Sequence, residues 1–257
     1  MLTISIDQDP PILLKLLAHE VRWQLLSALV HSDYRVQELV ERVNRPMNLI
    51  SYHLKQLRNY QLVTERRSSA DGRDVYYSVD LARLNTLYHE SGRQLHPALG
   101  EPITNWQRVP AAVTQPPLRV LFLCTHNSAR SQIAEALLHQ IGGNQVTVFS
   151  AGTQPSTVHP MALTVLKDQN IESSQLYSKH IDTFVGQHFD YVITVCDRAR
   201  EACPIFPDDP ERIHWSFEDP AAISDPEEQT RVFKRTLVEL SNRIRLFLLV
   251  IDRDGRQ

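Results

Sequence analysis

The sequence predicts an α/β protein of two domains, a mainly helical one followed by one with a parallel β-sheet. Up to about residue 97, apolar side chains recur at the spacing of helices, whereas from residue 118 buried strands alternate with helices. Between them, residues 98–117 contain four of the fifteen prolines and no sustained period, as is typical of a linker. We therefore predict domains at residues 1–97 and 118–257.

The first domain is predicted to contain a helix-turn-helix and a β-hairpin. A long first helix would place six apolar residues on one face: Leu13, Leu16, Leu17, Val21, Leu25 and Leu29. Helices at 35–43 and 48–61 follow, separated by a break at Asn44 to Pro46. Residues 62–79 read as two strands joined around Asp71 and Gly72, which predicts a hairpin.

Such a domain offers a surface for DNA. The second helix of a helix-turn-helix lies in the major groove, and hairpin arginines can contact phosphates or the minor groove. The candidate contacts are Asn48, Ser51, Tyr52 and Lys55 on the helix and Arg66, Arg67 and Arg73 on the hairpin. Taken singly, each of these residues fits an ordinary solvated surface better, whereas together, in this order of helices and hairpin, they favour DNA contact.

The stretch over about residues 10–90, with "SYHLKQL" at 51–57 and the hairpin, resembles winged-helix repressors of the ArsR family. The resemblance implies a homodimer on operator DNA, with repression relieved by a ligand. Arsenite-sensing members carry cysteines in the helix that reads "YRVQELVERV" here, and this helix has none. Asp80, His89, Glu90 and His96 match no metal-site spacing, so we predict no metal in this domain.

The second domain is predicted to be a parallel α/β sheet. Its strands are expected at 119–124, 146–152, 189–196 and 212–217, with helices at 131–141, 160–169 and 226–251. The segment "CTHNSARS" at 124–131 lies between the first buried strand and a helix, where backbone N–H groups and the helix dipole can hold a tetrahedral oxyanion. The oxyanion-binding residues would be Thr125, His126, Asn127, Ser128, Ala129 and Arg130.

The same positive field should lower the pKa of Cys124 and hold it as a thiolate nucleophile. Arg130 offers two donors to anion oxygens, and Ser131 can hydrogen-bond the thiolate. The alternative is a buried cysteine that happens to lie near an arginine.

Together with "SAGTQP" at 150–155 and "HWSFEDPA" at 214–221, this loop resembles the low-molecular-weight protein tyrosine phosphatase superfamily over about residues 118–250. The resemblance implies that Asp219, before Pro220, is the general acid. Cys196 and Cys203, seven apart, are similar to the extra thiols of thioredoxin-coupled arsenate reductases on this scaffold. That likeness implies a three-cysteine relay in which Cys124 attacks arsenate and thioredoxin is the reductant. Coincidental thiols are the alternative.

The resemblance also bears on cofactors. Some relatives bind potassium near the loop, and the matching residues here are Asn127, Glu135, Ser150 and Asp182. The same side chains could instead simply hydrogen-bond the loop. No other cofactor is expected.

Composition constrains the functional class. The net charge is −3, so charge alone does not indicate nucleic-acid binding, and the three cysteines match no four-ligand zinc site. The apolar run "LFLLVI" is too short for a membrane span and no targeting pattern begins the chain, so we expect a cytoplasmic protein. Three functions remain open: an arsenate reductase fused to a regulator, a tyrosine phosphatase with a DNA-binding domain, and a transcription factor with a sensor domain.

Overall fold

A computed structural model describes residues 9–95 and 116–254. The chain divides into two compact units, residues 1–66 with 75–109 and residues 67–74 with 110–257. His96 and residues 98–115 of the predicted linker lie outside the described residues. No helix in the described ranges is long and apolar enough to cross a membrane.

The first unit combines helices with a small sheet. Its elements are α1 (Ile12–Leu17), α2 (Glu20–His31), β1 (Tyr34–Arg35), α3 (Val36–Val43), α4 (Met47–Asn59), β2 (Val63–Arg67), β3 (Val75–Val79) and α5 (Leu81–Leu95). The strands form a sheet in the order β1-β3-β2, with β1 antiparallel to β3. A core of apolar residues from these helices and strands fills the unit.

The prediction of one long first helix is wrong, because the chain breaks between α1 and α2. His19 is extended there and its ring accepts a hydrogen bond from the Val21 N–H at 3.2 Å, which caps α2. Arg22 donates to the Leu16 carbonyl at 2.7 Å and so satisfies an end of α1. The predicted apolar residues are still buried or partly buried, so their spacing could not reveal the break.

The two helices predicted at 35–43 and 48–61 form as α3 and α4, with a turn between them. Asn44 ends α3 in the left-handed region at φ 51°, where a short polar side chain is tolerated. On α4, Ile50, Leu54 and Leu57 are buried as predicted. His53 is buried beside them, which its polarity did not indicate.

The second unit is a four-stranded parallel sheet with helices. Its elements are β4 (Leu118–Cys124), α6 (Arg130–Gly142), β5 (Val146–Gly152), α7 (Pro160–Asp168), β6 (Tyr191–Thr194), α8 (Asp197–Glu201), β7 (Glu211–His214) and α9 (Pro226–Asp254). The strand order is β5-β4-β6-β7 and all pairs are parallel. The chain runs from β4 to β5 on one side of it, and later to β6 on the other side. Folds of this type bind ligands at the carboxyl end of the strand where this change of direction occurs, which is β4 here.

Two strands are shorter than predicted. Residues 189–196 and 212–217 were expected as strands, but β6 spans Tyr191–Thr194 and β7 spans Glu211–His214. Trp215 and Phe217 lie beyond β7 and are 2% and 5% exposed, because they pack into the core from a loop. Apolar character predicted their burial correctly but not their backbone conformation. The short helix α8 was not predicted.

Candidate active site

A loop from Thr125 to Ala129 joins the end of β4 to the start of α6. The carbonyl groups of residues 125–128 are turned away from the loop centre, because each accepts a hydrogen bond from a residue outside the loop. The Thr125, His126 and Ser128 carbonyls accept from Gln154, Ser156 and His159 at 2.8–2.9 Å. In a planar trans peptide the N–H points opposite to its carbonyl, so the N–H groups face inward. The loop therefore has the form of an anion cradle at a helix N-terminus.

The nucleophile candidate Cys124 receives two hydrogen bonds within this cradle. The Asn127 N–H donates to Cys124 Sγ at 3.0 Å, and Ser131 Oγ lies 2.9 Å from the same sulfur. Asn127 itself adopts φ 46°, a left-handed conformation that tightens the turn. Gly152 lies opposite Cys124 in the register of β4 and β5. A Cβ at Gly152 would lie 2.6 Å from the Thr125 carbonyl oxygen, so this close approach requires glycine.

The direction of the Ser131 hydrogen bond follows from its neighbours. The Lys179 backbone N–H can only donate, and it meets Asn127 Oδ1 at 2.7 Å, which fixes the orientation of the amide. Asn127 Nδ2 therefore donates to Ser131 Oγ at 2.9 Å and to Ser150 Oγ at 2.7 Å. Ser131 Oγ thus accepts from Asn127, and it donates to Cys124 Sγ when that sulfur is a thiolate, because a thiolate can only accept.

These donors do not dominate the ionisation of Cys124. Burial raises the pKa of the Cys124 thiol above its ordinary value, and nearby Cys196 raises it further. Arg130, Ser131 and Asn127 act in the opposite direction. The prediction of a standing thiolate is therefore not supported as the site stands in this structure.

Arg130 and Asp219 are brought together from distant parts of the sequence. Arg130 is 5% exposed, its Nη2 lies 2.8 Å from Asp219 Oδ2, and its Nη1 donates to the Phe217 carbonyl at 3.0 Å. The other Asp219 oxygen accepts from the Ala221 N–H at 3.2 Å. The oxyanion-binding candidate and the general-acid candidate thus form one ion pair beside the loop, in which Arg130 is buried and the Asp219 side chain is 32% exposed.

The two further cysteines flank α8. Cys196 precedes the helix and is 1% exposed, with its Sγ 3.4 Å from Thr125 Oγ1 of the loop. Cys203 follows the helix and is partly buried, and burial raises the pKa of its thiol while Arg212 opposes this shift. All three cysteines are free thiols. Cys196 therefore lies at the nucleophile loop, and Cys203 lies at the far end of α8.

The four residues of the expected potassium site are only partly assembled. Asn127, Ser150 and Glu135 form a hydrogen-bonded row in which Ser150 donates to Glu135 at 2.5 Å. Asp182 is 79% exposed and pairs with His180 at 3.2 Å. In the described ranges no group of three or more His, Cys, Asp or Glu side chains could hold a metal ion.

Sequence reasoning missed Lys179 and Gln132. Lys179 Nζ lies 3.1 Å from Glu135 Oε2, and Gln132 Nε2 donates to the Asn127 carbonyl at 3.0 Å. No local signal could have found Lys179, because its partner Glu135 lies 44 residues earlier. For Gln132, burial on the first turn of α6 was foreseeable from its place beside the loop.

The structure places the candidate DNA contacts on α4, on β2 and at the hairpin tip. On α4, Asn48, Ser51, Tyr52 and Lys55 are all exposed, on the face opposite the buried residues. Arg66 is partly buried on β2. At the hairpin tip, Arg67 donates to the Gly72 carbonyl at 2.9 Å, and Arg73 pairs with Asp71 at 2.7 Å. That ion pair lowers the pKa of Asp71 to about 2 through hydrogen bonds from Arg73.

Comparison with known proteins bears on the second unit. The family described as low molecular weight phosphotyrosine protein phosphatase matches residues 119–257. A curated arsenate reductase of Halalkalibacterium halodurans is 40% identical over 129 residues, which cover 50% of this chain and 93% of that protein. An arsenate reductase of Bacillus subtilis is 38% identical over the same shares. The prediction of an enzyme of the arsenate reductase type is confirmed by these relatives.

Solved structures of related proteins are also similar. An arsenate reductase from Archaeoglobus fulgidus is 27% identical, with a TM-score of 0.42, and the match covers 50% of this chain and 98% of that one. A thioredoxin-dependent arsenate reductase of Corynebacterium glutamicum is 23% identical, with a TM-score of 0.45, covering 90% of this chain and 98% of that one. The assignment rests on the sequence matches rather than on these scores. The chain, through residues 119–257, belongs to the low molecular weight phosphotyrosine protein phosphatase family.

Proposed function

We propose that the second unit reduces arsenate to arsenite through a three-cysteine relay, with thioredoxin as the final reductant. The observation that carries this proposal is the place of Cys196, buried with its sulfur 3.4 Å from Thr125 Oγ1 in the nucleophile loop. Hydrolysis of a phosphoester needs only one thiol, whereas reduction needs a second thiol that can reach the first. The arsenate reductases among the sequence relatives support the same choice.

The first step binds and attacks the oxyanion. Arsenate sits on the inward N–H groups of the loop and on Arg130, which offers two donors to its oxygens. The Cys124 thiol passes its proton to an oxygen of the bound arsenate, and the thiolate attacks arsenic and forms an As–S bond. The As–O bond of one oxygen breaks, and that oxygen leaves as water with a proton from Asp219. Ser131 supports the attacking sulfur by donating its hydroxyl proton toward it.

The second step transfers electrons. Cys196, as thiolate, attacks Cys124 Sγ, so that an S–S bond forms and the As–S bond breaks. The electron pair of that bond stays on arsenic, which is reduced from As(V) to As(III) and leaves as arsenite. Cys203 then attacks Cys196 and frees Cys124 as a thiolate. Thioredoxin reduces the resulting Cys196–Cys203 disulfide through its own dithiol.

The relay requires α8 to rearrange. The helix α8 spans Asp197–Glu201, and the Ala202 and Cys203 N–H groups donate to the Arg198 and Arg200 carbonyls in a turn that ends it. A helix advances about 1.5 Å per residue, so the five residues of α8 alone span about 7.5 Å between the two cysteines. A disulfide needs Cα atoms within about 7 Å. We therefore expect α8 to unwind when Cys196 and Cys203 are oxidised.

The test compares two activities of the purified chain. Arsenite production is measured from arsenate with thioredoxin, thioredoxin reductase and NADPH, and hydrolysis of p-nitrophenyl phosphate is measured alongside. Cys196→Ser should abolish arsenate turnover and leave ester hydrolysis, since only reduction needs the second thiol. Cys203→Ala should yield about one arsenite per protein, because Cys124 and Cys196 stay joined. Ester hydrolysis without arsenate turnover in the unsubstituted chain would instead favour a tyrosine phosphatase.

A second proposal concerns the first unit, which we infer to be a winged helix-turn-helix that binds operator DNA as a homodimer. The exposed face of α4 supports it, because Asn48, Ser51, Tyr52 and Lys55 lie opposite the packed face. Small, polar and basic side chains on such a face suit contacts with base edges and phosphates. The unit would regulate transcription of arsenic-resistance genes, with the effector supplied by the chemistry of the second unit.

Selection of bound fragments from random duplex DNA, at low and at physiological salt, tests this proposal with the full chain. Binding should weaken with salt, since Lys and Arg release counterions from phosphates. Ser51→Ala or Tyr52→Ala should cost about 1–3 kcal/mol on the selected site. Lys15→Ala, an exposed lysine on α1 and not on α4, is the matched control. A chain that selects no sequence and binds no duplex at low salt contradicts the proposal.

A further inference from the structure

A buried ammonium group lies next to the nucleophile loop. Lys179 is 9% exposed, and its Nζ lies 3.1 and 3.3 Å from the two Glu135 carboxylate oxygens and 3.1 Å from the Tyr177 carbonyl. The ring of Tyr177 faces the same charge at 4.4 Å. A lysine ammonium has three N–H donors, and these three oxygens match them in number. Its side chain is therefore held at a fixed place rather than extended into solvent.

This ammonium is joined to the nucleophile by hydrogen bonds in two directions. In one direction, the ammonium stabilises the Glu135 carboxylate, which accepts a hydrogen bond from the Ser150 hydroxyl. The Ser150 oxygen in turn accepts a hydrogen bond from the Asn127 amide. Through its own backbone, Lys179 donates to Asn127 Oδ1 at 2.7 Å. Asn127 in turn donates to Cys124 Sγ from its N–H and to Ser131 from its amide. The orientation of the loop thus depends on a positive charge beside Glu135.

The family resemblance implies a potassium ion for this role, and with Lys179 in place the residues present do not fit one. Of the four expected ligands, Asp182 is 79% exposed and paired with His180. The carboxylate of Glu135 is already neutralised by Lys179. A metal ion placed there would meet a like charge in a buried setting, where Coulomb repulsion is strong.

We propose that the Lys179 ammonium is a built-in substitute for potassium, so that the oxyanion site of this chain works without added potassium. Lys179 is a positioning residue, because it acts on bound anion only through Glu135, Ser150 and Asn127. An ammonium and a potassium ion carry the same charge and similar size, and both are satisfied by oxygen ligands. Replacing Lys179 with a neutral amide should therefore make anion binding at the loop depend on added potassium.

The experiment measures phosphate binding by calorimetry and thermal unfolding, in KCl and in NaCl at equal ionic strength. Neither readout needs reductase turnover, so failure here is separable from failure of the arsenate proposal on which the role of the site rests. The unsubstituted chain should behave alike in both salts. Lys179→Gln should bind phosphate about tenfold more weakly in NaCl, because the Glu135 carboxylate behind the loop loses its charged partner. KCl should restore most of that loss.

Two further variants sharpen the result. Lys179→Gln combined with Glu135→Gln removes both charges, so its phosphate affinity should be equally low in KCl and NaCl. Lys167→Gln, at an exposed lysine on α7, is the matched control and should match the unsubstituted chain in both salts. Potassium dependence in the unsubstituted chain would overturn the proposal. So would a Lys179→Gln variant that binds phosphate normally, or one whose weak binding potassium does not restore.

Discussion

The substitution Ser131→Ala tests how the loop controls its thiol. Ser131 Oγ lies 2.9 Å from Cys124 Sγ, and it is the donor when Cys124 is ionised, because a thiolate can only accept. A hydrogen bond to a charged group contributes about 1.5–3 kcal/mol, and one pKa unit corresponds to about 1.4 kcal/mol. Losing this donor should therefore raise the pKa of Cys124 by about one to two units. At neutral pH the thiolate fraction, and with it the rate of attack, should fall about 10- to 100-fold.

The pKa is measured from the ultraviolet absorbance of the thiolate against pH, in a chain that also carries Cys196→Ser and Cys203→Ser. Cys124 is then the only thiol, since the chain has three cysteines. Ser128→Ala is the matched control, because it removes a hydroxyl from the same loop without a bond to the sulfur. An unchanged or lower pKa in Ser131→Ala would refute the inferred direction of the hydrogen bond.

Three further predictions follow from the same site. Gly152→Ala should lower the free energy of unfolding by about 1–3 kcal/mol in denaturant titrations, because its Cβ would meet the Thr125 carbonyl; Gly72→Ala, with open space around it, should not. Asp219→Asn should lower kcat for arsenate about 100-fold or more by removing the general acid, whereas the exposed Asp225→Asn should leave it unchanged. Since burial raises the pKa of Cys203, less thiolate forms at a given pH. In a chain that carries Cys124→Ser and Cys196→Ser, alkylation of Cys203 at neutral pH should be slower than that of a free thiol. Adding Arg212→Gln should slow it further, because Arg212 lowers the pKa of Cys203. A rate equal to that of a free thiol would contradict this.

The parts of the site that the sequence predicts are those built from one continuous segment. Strand, loop, arginine and helix N-terminus occur in order from β4 to α6, so the cradle around Cys124 could be placed from the sequence. The contact of Ser131 with the sulfur also follows from this segment, whereas the orientation of the Asn127 amide that donates to Ser131 depends on the backbone of Lys179. A contact between elements far apart in the chain has no spacing that reveals it.

Burial explains the other differences. Sequence reasoning counted the groups that favour a Cys124 thiolate but could not weigh them against desolvation, which depends on how completely the sheet and α8 cover the sulfur. Similarly, Trp215 and Phe217 are buried in a loop. A buried loop can have the same apolar composition as a buried strand, so the sequence pattern could not distinguish the two. The break after α1 escaped detection because both helices pack against one core.

The ion pair between Arg130 and Asp219 links anion binding to proton uptake. Arg130 Nη2 lies 2.8 Å from Asp219 Oδ2. An oxyanion that binds the same guanidinium therefore places its negative charge next to the Asp219 carboxylate. Protonation of Asp219 removes the repulsion between the oxyanion and the carboxylate, and it supplies the proton that the leaving oxygen needs. Phosphate binding at neutral pH should therefore take up protons, which calorimetry in buffers of different ionisation enthalpy measures. Asp219→Asn should bind phosphate with less uptake, and equal uptake in both chains would show that another group accepts the proton.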